Sequence, residues 1–435
     1  MQRNYLLDIV EAQNNGIHKG IYSACSANEY VIEAAMERAK NTNEYVLIEA
    51  TANQVNQYGG YTGMKPIDFK NFVYDIADKI NFDKDKIILG GDHLGPLTWS
   101  KETEKEAMAK SHELVKEYVM AGFTKIHLDT SMYLADDDRS KKLATEVIAR
   151  RGAELCKTAE ESFKALKERN SMAVAPVYIV GSEVPIPGGI QDEEEGIQVT
   201  KPEDFLETVK VYKAEFKDKG IDEVWNRVIG VVVQPGVEFG DESVHEYNRE
   251  KAEKLVNSLR GVKGIVFEGH STDYQTKTKL KEMVEDGIAI LKVGPALTYG
   301  LREALFALNH IENEIFKYRA DIKLSNFINV LETSMVEEPT HWKQHYHGDA
   351  EDIKYAMRYS YSDRCRYYMP TEAVNKAMNI LIENLESVEI PLTIIDQYMP
   401  MQYKKIREGL IQNKPKELIK DRIGDYIDDY LYALR

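Results

Sequence analysis

Eight short apolar runs constrain this chain more than any other feature. They lie at residues 20–26, 45–50, 86–89, 125–131, 174–180, 228–233, 264–267 and 288–293, and most are followed by a helical segment. Continuous apolar runs of this length read as strands buried on both faces, and the helical segments between them supply the crossovers of a parallel sheet. An open doubly wound sheet uses the same alternation. The strand ends separate the two: Glu49, Asp92, His93, Asp129, Glu183, Gln234 and His270 all fall just after strands. In a closed barrel those tips share one mouth. The fold expected is therefore α/β, a TIM (β/α)8 barrel over residues 1–310. Past residue 310 the strands stop, and residues 311–338, 349–359, 372–386 and 403–432 read as helices. We expect residues 311–435 to form a helical extension packed on the barrel. A chain of 435 residues has room for both, since such barrels take about 250.

The net charge of −16 argues against nucleic acid or an anionic membrane as a partner, because both need a basic surface. A phosphorylated small molecule stays possible, since a few local Arg, Lys or backbone N–H groups can hold a phosphate. The three cysteines, Cys25, Cys156 and Cys365, are far apart and form no C-x-x-C, which fits a reducing, cytoplasmic location. The N-terminus lacks a signal-like apolar stretch, and no run is long enough to span a bilayer.

The third strand leads into Leu89-Gly90-Gly91-Asp92-His93-Leu94-Gly95-Pro96. Two glycines are expected to let the chain turn tightly, with Pro96 ending the pairing. This places a carboxylate and an imidazole side by side at a strand tip. His93 and His270 with Glu183 make a two-His-plus-carboxylate set suited to a divalent metal. Alternatively, His270 caps a helix or bonds a carbonyl. Asp92 and Asp129 are candidate proton carriers or helix N-caps. Glu49 is a third candidate carboxylate or the partner of a nearby Arg or Lys. Residues 185–196 form a long loop of the kind that closes over barrel mouths. In the extension, Arg364 and Arg366 either clamp a phosphate or sit in an ion-pair cluster. His341, His345 and His347 are read as packing residues, because no carboxylate or cysteine stands at a ligand spacing beside them.

Several stretches resemble the Z-type subunits of class II D-tagatose-1,6-bisphosphate aldolases. They are residues 49–57 with 59–64, 90–96, 127–132, 183–189, 233–239, 267–275 and 362–364, and they span nearly the whole chain. More distantly, the Asp92-His93 pair, Asp129-Thr130-Ser131, Glu183 with Gly188-Gly189, and His270-Ser271 resemble the catalytic class II aldolases. The resemblance implies one divalent metal, zinc first (with manganese, nickel or magnesium as alternatives), held by His93, Glu183 and His270. Gln234 stands where those aldolases carry a further metal-binding His. Asp92, Asp129 and Glu49 are the implied catalytic carboxylates. Asn53, Gln54, Ser131, Ser271, Asp273, Ser362, Asp363, Arg364 and Arg366 are the implied contacts to a phosphorylated ketohexose.

For activity, the resemblance suggests an isomerase: C4 epimerisation of fructose 6-phosphate and tagatose 6-phosphate by retro-aldol cleavage and re-addition. The alternatives are a non-catalytic subunit that stabilises a separate catalytic aldolase subunit, and a genuine aldolase. A homo-oligomer is a further expectation. No glycine-rich loop ending in Lys-Ser/Thr is present to support a kinase.

Overall fold

The computed structural model describes residues 3–181 and 197–435. Glu183 and the loop expected at 185–196 lie outside them. Eight parallel strands close into a barrel: β1 (Ile21–Cys25), β2 (Val46–Thr51), β3 (Ile87–Leu94), β4 (Lys125–Leu128), β5 (Val177–Val180), β6 (Val228–Val233), β7 (Val266–Gly269) and β8 (Ile288–Val293). Each strand pairs with its sequence neighbours, and β1 pairs with β8 to close the ring. β-Branched residues dominate several of these runs, as the doubly buried pleated surface favours. The barrel expected from the strand-helix alternation is the one observed. A separate two-residue hairpin, Glu238–Phe239 with Val244–His245, follows β6.

An unanticipated helix, α1 (Tyr5–Asn14), stoppers the N-terminal end of the barrel. Leu6, Ile9 and Val10 lie at helical spacing and join Leu47, Ile88, Val177 and Ile229 in one buried cluster. Asn4 caps this helix, its side chain accepting from Leu6 N. The barrel helices are α2 (Glu29–Thr42), α3 (Pro66–Ile80), α4 (Glu104–Ala121), α5 (Thr145–Arg169), α6 (Pro202–Asp218), α7 (Arg249–Leu259), α8 (Lys277–Glu285) and α9 (Pro295–Phe316). The boundary expected at residue 310 falls inside α9, so barrel and extension share a helix.

The extension is α10 (Phe327–Glu337), α11 (Ala350–Tyr359), α12 (Glu372–Glu386), α13 (Leu392–Tyr398), α14 (Pro400–Arg407) and α15 (Pro415–Ala433). The single helix expected over 403–432 is two, separated where Gly409 takes a positive φ and Pro415 opens the next helix. α15 runs back against α2, α8 and α9. This return packs the extension on the barrel, and the turn at 364–367, packed on α9, reaches the barrel mouth. Among the described residues, no helix is long and apolar enough to cross a membrane.

The glycines at 90 and 91 do not make a turn, because β3 continues through them to Leu94. Gly90 is required by space: a Cβ there would meet the Glu49 side chain at 2.6 Å. Gly95 has the tighter constraint, since a Cβ would lie 1.7 Å from Asp129 O. The β3–β4 register shifts between Gly91 and Leu94, and His93 adopts φ +49° within that irregularity. A bulge of this kind re-aims a side chain, and here it turns His93 into the barrel mouth.

Candidate metal centre and anion-binding cleft

The site is built in two tiers inside the barrel. The lower tier is a layer of charges with almost no exposure. Lys125 Nζ lies 2.6 Å from Glu49 and 2.8 Å from Glu268. Lys292 pairs with Glu49 and, at 2.8 Å, with Asp92. Burial disfavours the charge on both lysines, but the surrounding carboxylates outweigh it and raise both pKa values. Glu49 is therefore the buried partner of two ammonium groups. The expectation that it is a catalytic carboxylate fails, because both of its oxygens are committed to those ion pairs.

The upper tier is a cluster of imidazoles. The ring centroids of His93, His127 and His270 are 4.8, 4.9 and 5.3 Å apart. Asp129 Oδ2 accepts from His93 Nδ1 at 2.7 Å, Gly181 O accepts from His127 Nε2 at 3.1 Å, and Glu268 Oε1 accepts from His270 Nε2 at 3.0 Å. His127 Nδ1 in turn accepts from His93 N at 3.2 Å and lies 2.9 Å from Asp92 Oδ1. Outer partners of this kind orient metal-binding imidazoles. One atom each of Asp92, His93, His127 and His270 lie within 4.8 Å of one another.

The electrostatics agree. Four carboxylates (Glu49, Asp92, Asp129 and Glu268) meet two ammonium groups (Lys125 and Lys292), an excess of two negative charges. That excess acts on His93: burial pushes its pKa down, but Asp92 and Asp129 raise it overall. A divalent cation fits the same charge.

This donor set differs from the expected one. His127, absent from that set, supplies the third imidazole from β4. Gln234 does not serve as an oxygen donor, because its Oε1 accepts from Gly236 N at 2.8 Å and Val237 N at 2.9 Å. Among the described residues its buried Nε2 has no hydrogen-bond partner and, as a donor, it cannot ligate a cation. Asp129 is a positioning group: Oδ2 holds His93 and Oδ1 accepts from Ser131 N and Oγ. Burial opposes its ionisation, but His93 outweighs it and holds the carboxyl at about 2. Asp92 is held well below the usual carboxylate range by His93, Lys292 and His127, against its burial. Its Oδ2 lies 3.8 Å from His93 Nε2 at the edge of the cluster.

Above the cluster opens a cleft of about 1290 Å³, lined on the barrel side by Asp92, His93, Asn53, Gln54, Ser131 and Ser271, and on the other by Arg364, Arg366 and Tyr367. The extension thus supplies one wall. Arg364 Nη2 lies 2.9 Å from His345 Nδ1, and burial pushes His345 down to about 4, keeping it a neutral acceptor. Arg366 donates to Tyr367 Oη at 3.1 Å and to the carbonyl of Asp363 at 3.0 Å. His341 stacks on Tyr367 with ring centroids 4.7 Å apart. Two adjacent guanidiniums on one wall form a phosphate-sized positive end.

Ser362 and Asp363 do not join them. Ser362 Oγ bonds Asp241 and Ser360, while Asp363 accepts from Thr298 Oγ1 at 2.6 Å and Arg302 Nε at 3.1 Å. Asp363 clasps the extension to α9 and Ser362 clasps it to the hairpin after β6, and neither lines the cleft. Asp273, which also lines the cleft, places Oδ1 where it accepts from Gly294 N at 3.0 Å and Ala296 N at 2.8 Å, capping α9. Glu238, absent from the expected set, lines the cleft as well.

Comparison with known proteins places this architecture. Residues 6–435 match the family described as D-tagatose-1,6-bisphosphate aldolase subunit GatZ/KbaZ-like. The D-tagatose-1,6-bisphosphate aldolase subunit GatZ of Escherichia coli O1:K1 / APEC is 46% identical over 425 residues, covering 98% of this chain and 99% of that one. The same subunit from Escherichia coli O6:K15:H31 (strain 536 / UPEC) gives the same figures, 46% over 425 residues with 98% and 99% covered. A crystal structure described as a probable tagatose 6 phosphate kinase from Sinorhizobium meliloti 1021 superposes with a TM-score of 0.87 at 45% identity, covering 95% of this chain and 100% of that one. The curated relatives are named as a subunit of an aldolase, which is a lyase, and this overturns the expectation of an isomerase. From its sequence match over almost its entire length, and from the barrel it shares with that solved structure, the chain belongs to the GatZ/KbaZ-like family of D-tagatose-1,6-bisphosphate aldolase subunits.

Proposed function

We propose that this chain is the non-catalytic subunit of a class II D-tagatose-1,6-bisphosphate aldolase, stabilising and activating a separate catalytic subunit, and that its barrel mouth keeps a site for a divalent metal and a phosphorylated ketohexose. The observation that carries the subunit role is the near end-to-end match to proteins named as aldolase subunits. Gln234 favours this role over that of a self-sufficient aldolase. It replaces an imidazole of the distantly similar catalytic enzymes, and its oxygen is tied into a turn.

The retained cluster supports the ligand site. His93, His127 and His270, with Asp92, are the groups that would hold the metal, and three imidazoles with a carboxylate suit zinc. Bound there, the ion would polarise sugar oxygens as a Lewis acid. Asp92, which lines the cleft, accepts a hydrogen bond from a sugar hydroxyl. Arg364 and Arg366 hold the phosphate, and Asn53, Gln54 and Ser131 line the space between.

The test pairs the purified chain with a class II tagatose-bisphosphate aldolase catalytic subunit. Cleavage of tagatose 1,6-bisphosphate by the mixture should exceed that by the catalytic subunit alone and survive longer at elevated temperature, while this chain alone should cleave nothing. An unchanged rate and half-life on mixing would sink the subunit role. Cleavage by this chain alone would point to the aldolase.

A further inference from the structure

Much of the guanidinium of Arg366 is spent inside its own turn. Nη1 donates to the carbonyls of Ser362 and Asp363, the latter at 3.0 Å. Nη2 donates to Tyr367 Oη at 3.1 Å. Tyr367 lines the cleft next to it. Three neighbours fix the Tyr367 ring. His341, in the turn after α10, stacks on it with centroids 4.7 Å apart and planes 13° apart. Tyr61, in the loop after β2, meets it edge-on at 5.2 Å. Arg366 Cζ lies 4.5 Å from its centroid. The ring is therefore clamped where the barrel loop meets the extension, and a group held in this way loses little freedom when a ligand reaches it. A phenolic hydroxyl has one hydrogen to give and lone pairs to receive. Because Tyr367 Oη receives from Arg366, its own hydrogen is left to donate, and among the described residues none accepts it.

The geometry points to Tyr367 as a further binding residue of the cleft: its hydroxyl donates to the phosphate of the ligand, and Arg366 acts as a positioning residue that aims and polarises that hydroxyl. This rests on the cleft being a sugar-phosphate site and adds to it the atom that meets the anion. The electrostatics run the same way. The Arg366 guanidinium, against the burial of the ring and with help from Arg364, holds the Tyr367 phenol below the usual tyrosine range. Burial pushes the neighbouring Tyr61 phenol up, to about 12. A phenol made more acidic by a cation behind it is a stronger hydrogen-bond donor, and a phosphate oxygen is a charged acceptor that rewards it. The residue pair thus carries the charge of Arg366 to the ligand through a neutral group whose direction is fixed by stacked rings.

Calorimetric titration of the full chain with fructose 6-phosphate tests it. Tyr367→Phe keeps the ring and its contacts with His341 and Tyr61 and removes only the hydroxyl. Affinity should fall roughly ten- to hundredfold, the worth of one hydrogen bond to a charged group. The phosphorus NMR resonance of the bound sugar should also move between the unaltered chain and Tyr367→Phe, because the lost donor sits on the phosphate. Arg366→Lys keeps the charge and loses the planar fork, and circular dichroism checks that both variants fold. Its loss of affinity should shrink in the Tyr367→Phe background, since the two residues act on one atom. An affinity within twofold of the unaltered chain in Tyr367→Phe, or a loss of affinity with the phosphorus resonance unmoved, overturns the assignment of Tyr367 and leaves the sugar-phosphate site intact. Losses that add in full overturn the positioning role of Arg366. If fructose 6-phosphate does not bind the unaltered chain, the sugar-phosphate site fails and takes this inference with it.

Discussion

The two charged tiers of the barrel lie next to each other and follow different rules. In the lower tier, Glu49, Lys125, Glu268 and Lys292 are paired internally, and glycine at position 90 makes room for the pairing. In the upper tier, Asp92, His93, His127 and His270 converge, with Asp129 behind them, in an excess of negative charge. A layer whose charges balance holds the barrel together. A layer left unbalanced at the mouth is built for something that arrives later. Asp92 and Glu268 join the two tiers, because Asp92 touches Lys292 and Glu268 touches both Lys125 and His270.

The largest effect should come from the lower tier. Lys125→Met removes the cation between Glu49 and Glu268 and leaves one buried oxygen of each carboxylate, Glu49 Oε1 and Glu268 Oε2, without its partner. Breaking a buried pair from one side costs about 3–5 kcal/mol. Urea denaturation should show a loss of that size. A loss under about 1 kcal/mol, the range of exposed pairs, would mean that the tier is not the balanced support described above.

At the mouth, Glu238 offers a pH test that the paired tier does not. Its pKa in the folded chain is about 7, raised by burial above an ordinary value of 4.5. A carboxyl with a raised folded pKa favours the fold when protonated. Its contribution is fully present below about pH 4.5 and is lost as pH rises through 7. Glu238→Gln removes the ionisation, so it should stabilise the protein at pH 8 by on the order of 2–3 kcal/mol and by progressively less towards pH 4.5. Parallel denaturation curves for variant and parent across that range would overturn this account of Glu238.

Within the upper tier, the positioning of the rings can be separated from the rings themselves. Asp129→Asn keeps the shape but weakens the hydrogen bond that orients His93. Loss of such an outer partner costs about 10–100-fold in metal affinity. Competition with a chromophoric chelator reads that loss directly. His93→Ala, His127→Ala and His270→Ala should each lose stoichiometric zinc by elemental analysis. Retention of zinc by His127→Ala would return the third ligand to some other residue.

These tiers also mark how far the sequence could be read. The strands and most of their tips were legible because continuous apolar runs have a length and an ending that helices do not share. Lys125, His127 and Asp129 stand at alternate positions of β4 and its tip, as Glu268 and His270 do around the end of β7, so each set lies on one face of its strand. That alternation was the available signal for the interior charges, and only the tip residues Asp129 and His270 were taken from it. The role of Gly90 was opaque, because whether a glycine serves a turn or a neighbour's side chain depends on the partner strand. In the extension, Arg364 and Arg366 were recoverable as residue types suited to phosphate. Nothing local distinguished them from Ser362 and Asp363, which turn to Asp241 and to α9. That division is decided by how the segment packs against α9 and the hairpin after β6, contacts far away in sequence.

The smallest effect tests whether the positive end is tuned as deliberately as the imidazole cluster. His345 is to Arg364 what Asp129 is to His93, a neighbour that fixes the direction of a functional group. It differs in charge: burial, with Arg364 close by, keeps His345 neutral, so it orients the guanidinium without neutralising it. A carboxylate in its place would hold Arg364 more firmly and cancel the charge meant for a phosphate. His345→Phe removes the acceptor and keeps much of the ring's bulk. With one uncharged hydrogen bond worth about 0.5–1.5 kcal/mol net, affinity for fructose 6-phosphate should fall about two- to tenfold. Zinc content should stay unchanged, because the imidazole cluster is anchored on other strands. His345→Asp should weaken the same ligand further by cancelling charge. If His345→Asp instead binds the sugar phosphate as well as the unaltered chain, Arg364 is not part of the phosphate seat, and the positive end must be assigned to Arg366 with Tyr367 alone.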